Sequence, residues 1–584
     1  MSLARCFPPA ARTGDGEHPS SRASPRADDS RERFQRDGTG LAVLKDAERE
    51  IEMNAMALSV AVTLEMAEDA LAAQLIEMTV EDCQRAFAEG SVTAEALAQA
   101  FLSRIETYNP RYKALIVMNP QALDDARAID ARRAAGEELG PLAGVPVVIK
   151  DTMDMAGLPS TGGWHFLCAE AGGVDLIPAT DAPVTARMRE AGCVILGKTN
   201  VPVLSHTGSH ANDSWAGPTL NPAAPDRIPG GSSAGTATAV AASLAVLGLA
   251  EETGGSIQNP ASAQGLVGIK PSFGLVPNAG VMPLAGSTRD VVGPIARCVR
   301  DAALTLDALA GYTAADPKTV AGIGKRPAGG YAAGLEPGAL AGKRLGLYGP
   351  GWRDLPLSEE ASALYARAQK ELEAAGATLV ADPFAGTGFA AIAEPTPGLV
   401  YFDARGFESA PYDLQLYLER MGPDVAIRSF AAFAEATKAE DAFAPGGVLH
   451  PITNLRQLAA CLADPASPPD LSDFLAAREA YLALFDRVMA EQGLDALVFP
   501  QMRSELPPLH GPGTLLETTV CEINIAGLPG VTLPAGAYAS GSPFNLIFVG
   551  RMWSEGDLLA CAYAYEQATH HRRAPALDAR FLGA

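Results

Sequence analysis

Residues 229–236 read Pro-Gly-Gly-Ser-Ser-Ala-Gly-Thr, and residues 251–257 read Glu-Glu-Thr-Gly-Gly-Ser-Ile. Each stretch holds a Gly-Gly-Ser turn, and Ser232 and Ser256 lie 24 residues apart. Glycine before serine permits tight backbone geometry and close approach of amide N–H groups. Successive amides in such a turn can point inward and stabilise an oxyanion. One such turn is ordinarily a loop whose serine is a turn residue or cap. Two of them flanking a buried segment, with the strand Pro146-Val147-Val148-Ile149-Lys150 upstream, carry far more information. A lysine at a strand end usually snorkels to the surface. One enclosed beside two serines is a candidate base.

Working outward, short apolar runs alternate with helical periodicity. Strands are predicted at 146–150, at Cys193-Val194-Ile195-Leu196, at 496–500 and at 531–534. Helices are predicted over 362–375 and 474–491. Thr93 caps a helix with Leu97, Phe101 and Ile105 on one face, and Asn109-Pro110 is expected to stop it. This alternation implies an α/β fold around one large sheet. Two stretches imitate other functions. From Ile228 to Ala250 there is no charge, a length able to span a bilayer. Pro229, Gly230 and Gly231, with many small polar residues, predict a buried core helix with polar entry instead. Gly192-Cys193-Val194-Ile195-Leu196-Gly197-Lys198-Thr199 satisfies the phosphate-loop pattern. Its four central residues read as a strand, and Pro202 disfavours a helix running on from Thr199, so nucleotide binding is not expected.

The 584 residues carry 68 acidic and 45 basic side chains, a net charge of −23. Such a balance argues against nucleic-acid binding by charge neutralisation. The eight cysteines are scattered without a C-x-x-C pair and read as reduced thiols in a reducing, cytoplasmic compartment. His206 and His210 have metal-ligand spacing only on a helix, and the glycine between them reads as a loop. His570 and His571 are expected at a solvated helix end. Residues 1–55 are rich in Arg, Ser, Asp and Pro and are expected to be a disordered extension. They lack the apolar core of a secretory signal and are too acidic for a transit peptide. The main domain is placed at 75–575, with a less patterned insertion at about 380–470.

At this point a family resemblance is plain. Gly230-Gly231-Ser232-Ser233-Ala234-Gly235, Thr253-Gly254-Gly255-Ser256-Ile257 and Gly144–Asp151 resemble the three motifs of the amidase signature family of serine amidohydrolases. The apparent phosphate loop is similar to the family's strand ending Gly-Lys-Thr-Asn. Ala526–Gly530 and Ala562–Thr569 also fit. The resemblance implies a single large α/β domain, a mixed twisted β-sheet covered by helices on both faces. It implies Ser256 as nucleophile, Ser232 as bridging serine after a cis peptide bond, and Lys150 as terminal base. It implies an oxyanion hole from the amides of Thr253, Gly254, Gly255 and Ser256. A neutral Lys150, favoured by burial, would take a proton from Ser232, which takes one from Ser256. Lys198 and Lys270 are rival bases whose motif positions match structural lysines.

Four positions depart from the family pattern, the first being Ala234, where Gly or Ser is common. Glu252 stands where Asp is common, Gln258 where Arg is common, and Val203 where an acid is common. An acid–Arg pair is thereby expected to become a weaker, less bidentate acid–amide hydrogen bond. The resulting expectation is a cofactor-free, metal-free amidase acting on a small or aryl carboxamide, ester or carbamate, with no nucleic-acid or membrane partner. The acyl pocket is expected around 206–212 and the 380–470 insertion. An amidotransferase component working with a companion protein and a non-catalytic scaffold are the alternatives. The sequence sets no oligomeric state, and a homodimer is carried only as a guess.

Overall fold

A computed structural model describes residue 71 and residues 73–577. The expected N-terminal extension lies outside the described residues. Among the described residues, eleven strands run in chain order: β1 (Leu115–Met118), β2 (Pro146–Lys150), β3 (Val194–Thr199), β4 (Leu247–Glu252), β5 (Val267–Lys270), β6 (Val291–Ala296), β7 (Arg344–Leu347), β8 (Thr378–Val380), β9 (Ala496–Pro500), β10 (Gly530–Ala537) and β11 (Pro543–Val549). They form one mixed sheet in the order β1-β3-β2-β4-β6-β5-β10-β11-β9-β7-β8. This is the single large α/β domain that the motifs imply.

The sheet is covered on both faces, and the strand period shows why. Side chains alternate between faces along a strand. In β9, Ala496 and Val498 join one hydrophobic core, while Leu497 and Phe499 join another. In β11, Leu546 and Phe548 divide from Ile547 and Val549 in the same way. The helices Ala94–Tyr112, Val299–Leu309, Glu359–Ala374 and Glu555–Thr569 contribute to the first core. The helix Ser472–Glu491 supplies Phe474, Tyr481 and Phe485 to the second.

The centre of the sheet positions the site. β2 pairs in parallel with both β3 and β4. β4 then pairs antiparallel with β6, so strand direction changes beside it. In open α/β sheets, the carboxyl ends of parallel strands border the binding crevice. Lys150 ends β2, Thr199 ends β3 and Glu252 ends β4.

Three local expectations are corrected. The helix capped by Thr93, whose side chain accepts from the Ala96 N–H, runs to Tyr112 and not to Asn109. Pro110 falls inside the last turn, where it lacks the N–H that the carbonyl four residues earlier would otherwise accept. The Asn109 side chain finishes the end by accepting from the Ala114 and Leu115 amides at 2.9 and 2.8 Å. The uncharged 228–250 run is not one helix. It folds as the helix Ala234–Ala241 and then β4, with all eight helix residues and all six strand residues buried. Burial of both elements explains the missing charges. Among the described residues no helix is long and apolar enough to cross a membrane. The C-terminal helix end is solvent-exposed at His570, as expected, and is clamped beyond it. His570 caps it in the left-handed conformation, His571 Nε2 meets Glu371 Oε2 at 3.0 Å, and Arg572 forms a two-pronged pair with Glu77 at 2.6 and 2.7 Å.

Candidate active site

Lys150 is fully buried, and its Nζ donates to Ser232 Oγ at 2.7 Å. Ser232 is equally buried and follows a cis Gly231–Ser232 peptide bond. The same Nζ also donates to Glu251 Oε2 at 2.7 Å and to the Glu251 carbonyl at 3.3 Å. No local pattern in the sequence predicts a carboxylate in contact with this lysine. Successive strand residues point to opposite faces. Glu251 therefore turns to Lys150, while Glu252 turns away from it.

Glu252 holds the loop that carries Ser256. Its carboxylate accepts from the Ile257 and Gln258 amides at 2.8 and 3.1 Å, from the Gln258 side-chain amide, and from Asn524 Nδ2 at 2.8 Å. The expected acid–amide bond is present, and Asn524 and two backbone donors reinforce it. A charged acceptor with several donors makes strong hydrogen bonds. Gly255 has φ +94°, and a Cβ there would lie 2.7 Å from Asn259 Nδ2. A Cβ on Gly254 would lie 2.7 Å from the Phe402 ring. Both glycines are thus required by close approach. Among the described residues, no backbone carbonyl accepts from the amides of Thr253, Gly254, Gly255 or Ser256. Thr253, Gly254 and Ser256 border the cleft beside this loop.

The rival lysines are tied elsewhere. Lys198 lies inside β3, where a nucleotide-binding loop would need a helix start. Its Nζ donates to Pro159 O at 2.6 Å and Ser160 Oγ at 2.8 Å, with Asp151 at 3.8 Å. Lys270 Nζ donates to Leu528 O at 2.8 Å, and burial pushes it down to about 8. Asp290, by contrast, is pushed up to about 7 by burial and the neighbouring Glu251.

Above Ser256 opens a cleft of about 270 Å³. It is bordered by 205–209, by Leu399, Phe402 and Phe407, by Leu449 and Ile452, and by Leu515 and Glu517. The two expected pocket segments both contribute. The third, 514–517, sits in an unpatterned loop that gives no sequence signal. Glu517 accepts from Asn259 Nδ2 at 2.8 Å, and burial raises its carboxyl above the usual range. His206 borders the cleft, with its Nδ1 at 3.0 Å from Val203 O and 3.5 Å from Asp213.

A family model described as Amidase matches residues 96–559. The chain belongs to the amidase (amidase signature) family. A glutamyl-tRNA(Gln) amidotransferase subunit of Moorella thermoacetica is 33% identical over 525 residues, covering 86% of this chain and 99% of that protein. The native peptide amidase of Stenotrophomonas maltophilia is 34% identical in structure-based comparison, with a TM-score of 0.72 over 86% of this chain and 99% of that one. The corresponding glutamyl-tRNA(Gln) amidotransferase subunit of Thermotoga maritima superposes with a TM-score of 0.63 at 25% identity, over 86% of this chain and 98% of that one. Against this amidase-family background, the fold brings Lys150, Ser232 and Ser256 to one end of the sheet. Sequence reasoning misses Glu251, whose only signal is an acid beside Glu252 at the end of a buried strand.

Proposed function

We propose that this chain breaks a carboxamide C–N bond through an acyl-enzyme on Ser256. The observation that carries the reading is the buried 2.7 Å contact of Lys150 Nζ with Ser232 Oγ beneath the Ser256 loop. In this scheme neutral Lys150 accepts a proton from Ser232, and Ser232 accepts one from Ser256. The Ser256 oxygen attacks the carbonyl carbon. The amides of Thr253, Gly254, Gly255 and Ser256 stabilise the developing oxyanion. The protons return along the same path to the leaving amine, and water then releases the acid. The scheme needs no metal or cofactor. Seven free cysteines in the described residues agree with a reducing, cytoplasmic setting.

Two readings of the substrate remain, and each has its own observation. The curated relatives favour a component of an amidotransferase over a free-standing amidase, and they count against the expectation, drawn from charge alone, of no nucleic-acid partner. The lining of the cleft favours a small or aryl carboxamide, ester or carbamate with an apolar acyl group. Among the described residues no lysine or arginine lines it, so the carboxylate of free glutamine would meet no countercharge there. A fluorophosphonate with peptide mass spectrometry tests the shared chemistry. An adduct on Ser256, lost in Lys150→Ala, supports the acyl-enzyme; no adduct on the folded protein overturns it. Ammonia released from glutamine only with added partner proteins selects the amidotransferase reading. Turnover of apolar amides by the chain alone selects the amidase.

A further inference from the structure

Resting on the acyl-enzyme reading and deepening it, we propose that Glu251 is a positioning residue that keeps Lys150 protonated at rest. The relay through Ser232 then starts only after the Lys150–Glu251 pair has released one proton to solvent. The two side chains are 0% and 1% exposed, and their charged atoms are 2.7 Å apart. The Glu251 carbonyl adds a second acceptor at 3.3 Å. A carboxylate so close, in so little water, favours the charged form of an amine. A relay that ends on the amine needs the neutral form. Geometry and chemistry therefore pull in opposite directions at this one nitrogen.

The other Glu251 oxygen is linked to a second carboxyl through a shared hydroxyl. Thr253 Oγ1 lies 3.2 Å from Glu251 Oε1 and 2.6 Å from Asp290 Oδ1. A hydroxyl has one proton, so it donates to only one of them. The other contact is a hydrogen bond only when a carboxyl brings its own proton. Asp290, enclosed and facing the Glu251 charge, is the group pushed up to about 7. Lys150, Glu251, Thr253 and Asp290 thus form a continuous chain.

Neighbouring charges are committed elsewhere. Asp151 turns to Thr161, at 2.8 Å from its hydroxyl, and to Lys198 at 3.8 Å. Glu252 serves the Ser256 loop and Asn524. Arg289 donates to the carbonyls of Thr253, Asp403 and Arg405. Lys318, whose charge also acts on Asp290, pairs with Asp316 at 3.6 Å. Among the described residues, Glu251 is the carboxylate within ion-pair distance of Lys150 Nζ.

The test is the rate of Ser256 labelling by a fluorophosphonate across about pH 5 to 10, in the full chain and in Glu251→Gln and Glu251→Asp. The wild-type rate is expected to rise along an acid limb. In Glu251→Gln that limb moves to lower pH by about one unit or more, roughly tenfold faster labelling on the acid side. Glu251→Asp keeps the charge but draws it back, and moves the limb the same way by less. An unmoved limb, or slowing equal at every pH, overturns the proposal and leaves a structural role. If circular dichroism shows the Gln variant unfolded, the Asp variant carries the same criteria. An unlabelled wild type would instead overturn the acyl-enzyme reading on which the inference rests; a labelled wild type with an unmoved limb overturns the inference alone.

Discussion

The floor of the cleft is made at the ends of β2 and β4, where Lys150, Ser232, Glu251 and Glu252 are all enclosed and all hydrogen-bonded. Its wall is made largely between β8 and β9, by residues 381–495, which add no strand to the sheet. From Phe407 to Ala463 that segment is a succession of short helices and 3-10 turns packed on a separate hydrophobic core with Phe407, Leu414, Tyr417, Phe430 and Phe433, and the long helix Ser472–Glu491 follows. A buried polar cluster is costly unless every group finds a partner, so its geometry is fixed by the sheet register. An apolar wall tolerates changes of shape so long as volume is conserved. The floor is therefore suited to chemistry and the wall to substrate choice. Arg289 joins them. Fully buried, it donates to Thr253 O at 3.1 Å on the floor and to Asp403 O at 2.9 Å on the wall, and it lies over the Phe402 and Phe407 rings.

The comparison breaks first at the floor. Ser256→Ala is expected to lower turnover by at least about a thousandfold while the thermal midpoint stays put; turnover near wild type would remove Ser256 from its role. Cutting the joint comes next. Arg289→Met removes three carbonyl contacts worth about 1 kcal/mol each. It should lower both denaturation midpoint and kcat, and a change in KM alone would make Arg289 part of the wall only. At the wall, Phe402→Ala should cost about tenfold in kcat/KM for apolar amides and little for the smallest ones. Equal loss on every substrate would assign Phe402 to the floor, through its approach to Gly254.

A pH experiment sharpens the contrast by a smaller effect. Asp290 in the folded chain holds its proton up to about 7, above the ordinary carboxyl value of 3.8. The unfolded chain gives that proton up first, so the native state binds more protons in this window and stability falls as pH rises through it. Asp290→Asn should flatten that fall, measured by urea midpoints between pH 4 and 7; an unchanged slope would place the titration elsewhere. Removing residues 1–52, which lie outside the described residues, should leave kcat within about twofold of wild type.

Much of the floor is legible in the chain, for physical reasons. β2, β3 and β9 are short apolar runs with turn residues beside them, and a buried strand reads that way whatever surrounds it. The two Gly-Gly-Ser turns keep their meaning because tight backbone approach leaves few residue types to choose from, as the contacts of Gly254 and Gly255 show. The 228–250 run reads as one helix only because absence of charge reports burial and not period. Pro110 does not stop its helix at Asn109, because the Asn109 side chain satisfies the backbone beyond it. The C-terminal clamp leaves no local signal, because its partners, Glu77 and Glu371, are hundreds of residues away in sequence.

By itself, then, the sequence determined the α/β class, the catalytic candidates Lys150, Ser232 and Ser256, and the loop that carries four amides. The class and the loop rest on local backbone demands and on hydrophobic period, which are written residue by residue; the candidates rest on the resemblance of their motifs to the amidase signature family. Only the tertiary structure decided which way adjacent glutamates point. The parallel pairing of β2 with β4 sets Glu251 against Lys150 and leaves Glu252 for the loop. It also decided what walls the cleft, since Phe402, Leu449 and Glu517 join Ser256 in lining it from distant segments. Contacts between distant segments are settled by register and packing, which no local pattern encodes.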